Sequence, residues 1–340
     1  MKICKSLSVL IAIVMLVGTS LPTMTSVSAQ TLNTPISPIE YQRMLGIGIN
    51  VDWVTFQKWR KGYTATVALD FKKIGFQHVR IRVADDSTQT IALLHRVVND
   101  CFKVGLIPII AYAAKDFNRH PSQETLKESV AFWSKISEEF KDYPYLLSYD
   151  MIIEVGKELN NYPDLLNEFY KQVIPTIRKV DPYRIIFISP RYASNPYYLD
   201  ELYIPPGDNY IMGEWHFYAA GPNPKIGTNK QWTTGTPYEK SLIWNKIEAA
   251  LSWQKKTGLR TWVGAWMPGN YNKGDTYSIG QQINFASYMS CSLLYARIPF
   301  AINADGQFYD IEHYQWRSDR YPVLMAVLYP CHPKGKMLWN

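Results

Sequence analysis

The fold is decided by stretches such as Gly75-Phe76-Gln77-His78-Val79-Arg80-Ile81-Arg82-Val83, where a glycine ends one segment and an apolar run begins the next. Residues 63–74 have helix-like spacing, and a glycine directly after a helix is expected as its C-cap. The run 78–83 is short and rich in Val and Ile, which is typical of a buried strand. The stretch therefore predicts a helix, a turn and a strand in succession.

This alternation recurs along the chain. The predicted strands are 46–51, 78–83, 106–112, 149–154, 184–189, 210–218, 261–266 and 298–303. The predicted helices are 63–74, 90–104, 123–140, 161–180, 195–203, 237–257, 279–295 and 317–328. Strands that alternate with helices imply a parallel sheet with crossover connections. Eight such units in about 300 residues predict an α/β fold, a single (β/α)8 TIM barrel. A doubly wound sheet is disfavoured because Gly46-Ile47-Gly48-Ile49-Asn50 lacks the third glycine of a dinucleotide fingerprint.

Residues 1–29 predict a secretory signal peptide. Lys2 and Lys5 precede an apolar segment, 7–17, and Val27-Ser28-Ala29 forms a small-residue cleavage site. We expect a secreted protein, extracellular or periplasmic, with no membrane contact after cleavage. The barrel domain is then 30–330, and 331–340 is a C-terminal tail.

The composition limits the classes of binding partner that we expect. A net charge of +7 over 340 residues is mild, and no run of five like charges appears, so a nucleic-acid partner is not expected. The 24 Tyr and 11 Trp suit surfaces that stack on sugar rings. We expect a monomer without a cofactor. After cleavage Cys101, Cys291 and Cys331 remain, without metal-ligand spacing. Cys101 and Cys291 lie in helix-like segments as small buried hydrophobes, and no disulfide framework is predicted.

Polar and aromatic residues mark the ends of the predicted strands. In a (β/α)8 barrel, the C-terminal strand ends and the loops that follow them carry the active site. The candidates are Asn50, Asp52, Trp53, Arg80, Arg82, Glu154, Glu158, His216, Tyr218, Trp266 and Asp305.

These strand ends resemble glycoside hydrolase family 5, the cellulase-type barrels, from about Tyr41 to Tyr329. Residues 75–83 resemble the second strand of that family, whose arginine falls on Arg80. Residues 152–158 resemble the fourth strand, and the acid/base glutamate falls on Glu158. Residues 214–218 resemble the sixth strand, whose His and Tyr fall on His216 and Tyr218. Residues 261–266 resemble the seventh strand, where the nucleophile position falls on Ala265.

The chain also departs from the family pattern. Lys157 and Leu159 replace the Asn and Pro that flank the acid/base glutamate, and Ala265 carries no carboxylate. Glycoside hydrolysis by the usual route needs two carboxyl groups. Glu214 and Asp305 are rival candidates for the second one, although Glu214 could be a buried carboxylate that orients its neighbours and Asp305 could be a turn residue. Glu154 is interpreted as an orienting carboxylate that lies deeper than the sugar.

The resemblance implies a glycosidase that acts on a β-linked polysaccharide or oligosaccharide, and a β-1,4-glucan is the expected substrate. The predicted substrate-binding residues are Arg80, His216, Tyr218, Trp266, Asn270 and Tyr271. Amides can bind hydroxyls and aromatic rings can stack on sugars, whereas a core histidine and an ordered Pro-Gly turn are the structural alternatives. The rival hypothesis is a carbohydrate-binding pseudoenzyme that has lost the nucleophile. No serine hydrolase or zinc protease motif is present.

Overall fold

The structure, a computed structural model, describes residues 34–217, 232, 234–269 and 277–331. The barrel strands are β1 (Ile47–Val51), β2 (His78–Val83), β3 (Ile107–Tyr112), β4 (Ser148–Asp150), β5 (Ile186–Ile188), β6 (Ile211–Phe217), β7 (Arg260–Trp266) and β8 (Phe300–Ile302). A hairpin adds β9 (Tyr309–Asp310) and β10 (Gln315–Trp316).

Helices occupy the connections and both ends of the barrel domain. They are α1 (Pro38–Leu45), α2 (Gln57–Gly62), α3 (Ala65–Ile74), α4 (Thr88–Val104), α5 (Lys115–Arg119), α6 (Gln123–Phe140), α7 (Pro163–Arg178), the single turn α8 (Arg191–Ser194), α9 (Pro237–Thr257), α10 (Ile279–Tyr295), α11 (Asp305–Phe308) and α12 (Tyr321–Leu328). Two 3-10 helices, Lys157–Asn161 and Pro196–Glu201, follow β4 and β5.

The eight parallel strands form a closed barrel in chain order, and β1 pairs with both β2 and β8. The predicted barrel is therefore confirmed, and α6, α9 and α10 have the predicted bounds. One difference affects the site: β4 ends at Asp150, four residues before the end predicted for that strand. No helix in the described ranges is long and apolar enough to cross a membrane.

Local sequence signals explain several helix ends. Ser122 caps α6 in a reciprocal capping box with Thr125, which satisfies backbone N–H groups at the start of the helix. Gly105 ends α4 at φ 77° and Gly258 ends α9 at φ 77°. A left-handed residue at this position is favoured when it is glycine, because glycine has no Cβ to clash.

The barrel interior is filled at the N-terminal end of the strands. One apolar cluster there includes Ile109, Phe187 and Trp262 from the strands and Tyr41 from α1. The Tyr41 hydroxyl donates to the Leu146 carbonyl at 3.0 Å, which fixes α1 across this end. A larger apolar cluster lies between the strands and the surrounding helices. The polar residues described below are therefore left to the opposite, C-terminal end of the strands.

The cysteines correct one sequence prediction. Cys291, on α10, forms a disulfide with Cys331, and the two Cα atoms are 5.8 Å apart. Cys291 is buried as predicted, but it is not a free thiol, because the packing of α10 against α12 brings the end of α12 to it. Cys101 is buried and free. The disulfide joins residues 40 positions apart and ties the beginning of the predicted tail to the barrel domain.

Candidate active site

Arg80 lies at the centre of a buried polar network inside the barrel. Its exposed fraction is 0%. Nε donates to Asp150 Oδ2 at 2.6 Å, and Nη2 donates to the Ile153 carbonyl at 2.6 Å and to Glu214 Oε1 at 3.1 Å. Nη1 donates to Asn50 Oδ1 at 3.3 Å. Strands β1, β2, β4 and β6 thus meet at one guanidinium group. The sequence places Arg80 in the site, but its burial excludes the predicted direct contact with a substrate and leaves it a positioning role.

His216 connects this network to the barrel mouth. Its Nε2 is 2.5 Å from Glu214 Oε1, and its Nδ1 is 3.1 Å from Glu154 Oε2. Burial lowers the pKa of His216, but the charge of Glu214 and the hydrogen bonds to Glu154 and Glu214 outweigh burial and raise the pKa to about 9. An imidazolium that donates from both nitrogens fits these contacts. The His216 side chain is 1% exposed, so it orients Glu154 and does not contact a sugar as the sequence predicted.

Glu154 is the carboxylate of this network that reaches the surface. Its side chain is 42% exposed, and Oε2 contacts His216. Burial raises the pKa of Glu154, but the hydrogen bond and charge of His216, with smaller contributions from Arg80 and Lys157, outweigh burial and lower the pKa below its ordinary value. The sequence interpretation placed Glu154 deeper than the sugar. The early end of β4 places it at the mouth instead, and Asp150 takes the deep position.

Glu158 lies apart from this network. It is exposed on the 3-10 helix Lys157–Asn161, and its described hydrogen bond is a long one, 3.5 Å, from Asn161 Nδ2. The sequence predicted that Glu158 is the acid/base. The structure brings Glu154, and not Glu158, against His216.

The other acidic groups of the network are sealed from solvent. Asp150 and Glu214 are each 0% exposed. Burial raises the pKa of Asp150 to about 7, opposed by the positive charge of Arg80 and reinforced by the negative charge of Glu214. Asp150 is not among the predicted site residues, although an aspartate within a predicted buried strand is a signal of a polar site. Glu214 contacts Arg80 and His216. It therefore has the orienting role that was the predicted alternative to catalysis.

A second polar cluster lies closer to the barrel mouth than the first. Its residues are on β2 and directly after β1 and β8. Arg82 Nη2 donates to Asp52 Oδ2 at 2.6 Å, and Nη1 donates to Asn303 Oδ1 at 3.1 Å. The two oxygens of Asp305 accept backbone N–H groups of Asp52 at 2.8 Å and Gly306 at 2.7 Å. Burial and the charge of Asp52 raise the pKa of Asp305 to about 8. With 0% exposure and both oxygens bonded to the backbone, Asp305 fixes a turn and does not face a substrate.

This second cluster borders a cavity of about 250 Å³. The lining residues include Asp52, Arg82, Asn303 and Gln307, which offer hydrogen-bonding groups, and Phe56, which is 55% exposed. Met267, just after β7, forms another part of the wall. Polar groups that converge beside an exposed aromatic ring suit a sugar, which has hydroxyl edges and C–H faces.

Strand β7 has an irregularity that determines which residues face the barrel interior. Trp215 pairs with Val263 and His216 pairs with Ala265, so Gly264 is an extra residue on β7. Ala265 therefore shares the inner face with His216, and no carboxylate stands at this position. A Cβ at Gly264 would lie 1.9 Å from Glu214 Oε1, so glycine is required there while Glu214 keeps this position.

The same irregularity corrects the prediction for Trp266. Its exposed fraction is 0%, and its ring packs against Phe285 of α10 at 5.6 Å and Phe300 of β8 at 5.8 Å. Trp266 therefore belongs to the layer between strands and helices and cannot stack on a sugar in the cleft. Tyr218, Asn270 and Tyr271, the other predicted substrate-binding residues, lie outside the described residues, as does the predicted signal peptide.

The architecture and the polar network together define a class of protein. A (β/α)8 barrel with a carboxylate held by an Arg–His network at the C-terminal strand ends has the architecture of a barrel glycosidase. Residues 40–299 match the family model of cellulase, glycosyl hydrolase family 5. The chain therefore belongs to glycosyl hydrolase family 5, a family of glycosidases that includes enzymes acting on β-glucans. No curated protein matches the chain.

Solved structures agree with the fold. Endoglucanase Cel5A of Thermotoga maritima is 20% identical with a TM-score of 0.74, over 86% of this chain and 100% of that chain. A hyperthermophilic endo-β-1,4-glucanase solved with substrate is 22% identical with a TM-score of 0.73, over 86% and 99%. The cellulose synthase subunit Z of Clostridioides difficile is 20% identical with a TM-score of 0.70, over 84% and 99%. Identities this low establish the barrel fold alone.

Proposed function

We propose that this protein is a secreted glycosidase that hydrolyses a β-1,4-linked glucan and uses Glu154 as the group that protonates the leaving oxygen. The observation that carries the proposal is the position of Glu154, half-exposed at the barrel mouth and held by His216. Because burial is outweighed by His216 and the pKa of Glu154 is lowered, the protonated form that donates to the leaving oxygen is populated in acidic solution, and hydrolysis should be fastest there. The structural neighbours whose titles name an endoglucanase and an endo-β-1,4-glucanase support the choice of substrate.

A second carboxyl group is needed, and Asp52 is the one whose surroundings suit the role. Glu214 and Asp305 are fully buried, and both oxygens of Asp305 already accept backbone N–H groups. Asp52 lines the same cavity as Asp305, is 7% exposed, and is joined to Arg82 through Oδ2. Strands β1 and β4 are separated by β2 and β3, so Asp52 and Glu154 project from different sides of the mouth. An inverting mechanism needs a wider separation than a retaining one, about 6.5–9.5 Å against 5–5.5 Å, to admit a water molecule. We propose that Asp52 acts as a base on such a water molecule and not as a nucleophile, which predicts an inverted product.

In this mechanism Asp52 accepts a proton from water while the water oxygen bonds to the anomeric carbon. The glycosidic C–O bond breaks, and its electron pair, with the proton from Glu154, leaves as the hydroxyl of the departing chain. The products are two shorter glucans, and the new reducing end has the inverted configuration. Exchange with solvent returns the proton to Glu154 and removes it from Asp52.

Secretion is the cellular part of the proposal. Its support is the leader-like sequence of residues 1–29 together with the Cys291–Cys331 disulfide, because disulfides persist in oxidising compartments outside the cytosol. We propose that the mature chain acts as a monomer. Detection of the processed chain in the culture medium or the periplasm would test the localisation, and retention of the whole chain in the cytosol would contradict it.

A specific observation favours the second candidate function, a carbohydrate-binding pseudoenzyme. Ala265 stands on the inner face beside His216, at the position where the family nucleophile falls. The two candidates separate in one experiment: incubation of the purified protein with a soluble β-1,4-glucan, with reducing-end release and glucan binding measured in parallel. Release supports the enzyme, and NMR of the first product gives its anomeric configuration. Binding without release supports the pseudoenzyme.

A further inference from the structure

The loops after β4 and β5 carry three exposed tyrosines that the proposed mechanism does not use. Tyr162, at the start of α7, is 49% exposed, Tyr192, in α8, is 44% exposed, and Tyr197, in the 3-10 helix Pro196–Glu201, is 55% exposed. These loops follow strand ends, so they lie at the C-terminal face of the barrel, where Glu154 also lies. We define Tyr162, Tyr192 and Tyr197 as the tyrosine platform.

The backbone beneath Tyr192 is strained. Tyr192, Ala193 and Ser194 have φ values of 58°, 56° and 52°, in the left-handed region that non-glycine residues seldom occupy. The surrounding contacts hold this conformation. Tyr192 N–H donates to Asn160 Oδ1 at 2.6 Å, and Ala193 N–H donates to the Val155 carbonyl at 2.8 Å. Strain of this kind concentrates at ligand-binding sites because another requirement maintains it.

These contacts also locate the platform relative to the reaction. Val155 directly follows Glu154, so the hydrogen bond from Ala193 fixes the strained turn against the segment that carries Glu154. Asn160 belongs to the 3-10 helix after β4, two residues before Tyr162. The platform therefore adjoins the Glu154 side of the mouth, away from the cavity between β1 and β8.

Two of the platform rings, those of Tyr192 and Tyr197, are held in place before any ligand binds. The Tyr192 ring lies 4.6 Å from the Tyr198 ring, and the Arg191 guanidinium is 5.0 Å from the Tyr192 centroid. Arg191 is in turn fixed by Glu201, through Nη2 to Oε2 at 2.6 Å. The Lys246 ammonium is 5.4 Å from the Tyr197 ring and donates to Asn195 Oδ1 at 3.1 Å. Aromatic rings fixed in this way lose little conformational entropy on binding.

We propose that the tyrosine platform binds sugar units of a β-glucan on the leaving-group side of the scissile bond. The proposal rests on the proposed function in one respect, the assignment of Glu154 as the acid, because the acid marks the leaving-group side. The platform offers aromatic faces and phenol hydroxyls, and the neighbouring Arg191 is already paired with a carboxylate. This chemistry suits the C–H faces and hydroxyls of a neutral sugar.

The test is chain-length-dependent binding, measured by calorimetry in a Glu154→Gln background that prevents hydrolysis. The probes are β-1,4-glucan oligosaccharides of three and six glucose units. Tyr192→Ala should weaken binding of the hexasaccharide by roughly five- to tenfold and leave the trisaccharide within twofold, since the loss of one stacking contact corresponds to about that factor. Tyr192→Phe should bind the hexasaccharide like its parent, because it keeps the ring.

A matched control is Tyr295→Ala. Tyr295 is 81% exposed and ends α10, and because crossover helices run antiparallel to the strands, it lies at the N-terminal face of the barrel. Equal hexasaccharide affinity of Tyr192→Ala and Tyr295→Ala would overturn the proposal. Tyr197→Ala, in a segment without left-handed residues, provides a second test if Tyr192→Ala fails to fold. Hydrolysis by the wild type tests the proposed function separately. An inactive protein with length-dependent, tyrosine-dependent binding would refute the enzyme and the leaving-group assignment, and would retain the platform as a glucan-binding surface.

Discussion

Replacement of Glu154 by Gln is the most direct test of the site, and Glu158→Gln is its matched control. The two glutamates are four residues apart on the same loop. Glu154 contacts His216 Nδ1 at 3.1 Å, whereas Glu158 is exposed and has one long hydrogen bond, from Asn161. An amide at 154 keeps the shape and an acceptor oxygen for His216, but it cannot give up a proton. Both variants should therefore fold, and only Glu154→Gln should lose activity.

The size of the loss follows from the role. A positioned general acid contributes about 10²–10⁴-fold, so kcat on a β-1,4-glucan should fall by that factor, equivalent to about 3–5 kcal/mol of transition-state stabilisation. His216 is buried and Glu154 is partly exposed, and the amide keeps an acceptor for His216, so the free energy of unfolding should fall by only about 1–2 kcal/mol. Glu158→Gln should remain within twofold of the wild type in both respects.

The leaving group provides a sharper assay. A dinitrophenyl β-cellobioside has a leaving group that departs without protonation, so Glu154→Gln should retain much more of its activity on this substrate than on the glucan. Reducing-sugar release and dinitrophenolate absorbance measure the two rates. Hydrolysis of the glucan by Glu154→Gln at the wild-type rate would contradict the assignment of Glu154 as the acid. Loss in Glu158→Gln instead would restore the assignment implied by the family resemblance.

Three further outcomes are expected. Ala265→Glu should lower both glucan hydrolysis and the melting temperature, because the new carboxylate would join Glu154 and Glu214 around His216. An inactive wild type with an active Ala265→Glu variant would instead establish the pseudoenzyme. Trp266→Ala should lower the free energy of unfolding by about 3–5 kcal/mol, since a fully buried ring leaves a cavity, and calorimetry should find the glucan affinity of the folded variant unchanged. The free energy of unfolding, measured with urea, should decrease as pH rises from about 6.5 to 9. The pKa of His216 is raised to about 9 in the folded state, so the stabilisation from charged His216 is complete below pH 6.5 and is lost as pH passes through 9. A flat profile would contradict the charged pairing of His216.

The barrel could be predicted from sequence because its signals are local and repeated. Each strand is a short apolar run, and several helices are bounded by a cap such as Ser122 or a left-handed glycine such as Gly105. These features act within one element and its neighbours in the chain. The disulfide was missed for the opposite reason: its two cysteines are 40 residues apart, and only the packing of α10 on α12 brings them together.

The site was harder to predict because strand ends and bulges are set by tertiary contacts. Strict alternation along β7 would place Trp262, Gly264 and Trp266 on one face. The extra residue at Gly264 reverses the alternation, so that Ala265 faces inward and Trp266 faces the helices. On β4, the predicted strand continued to Glu154, and the observed strand stops at Asp150. The first shift moves Trp266 from the predicted site into the core, and the second moves Glu154 from the predicted interior to the barrel mouth.

The arrangement around Arg80 argues against a simple loss of the nucleophile. Negative charge is supplied to its guanidinium by Asp150 from β4 and Glu214 from β6, and both carboxylates are fully buried. Glu214 can occupy its position only while residue 264 lacks a Cβ. Gly264 and Glu214 thus depend on each other: β6 supplies the carboxylate, and the glycine on β7 leaves space for it. A glutamate added at 265 would enter a site whose negative charge is already provided, and for this reason we place the second catalytic carboxylate directly after β1, at Asp52.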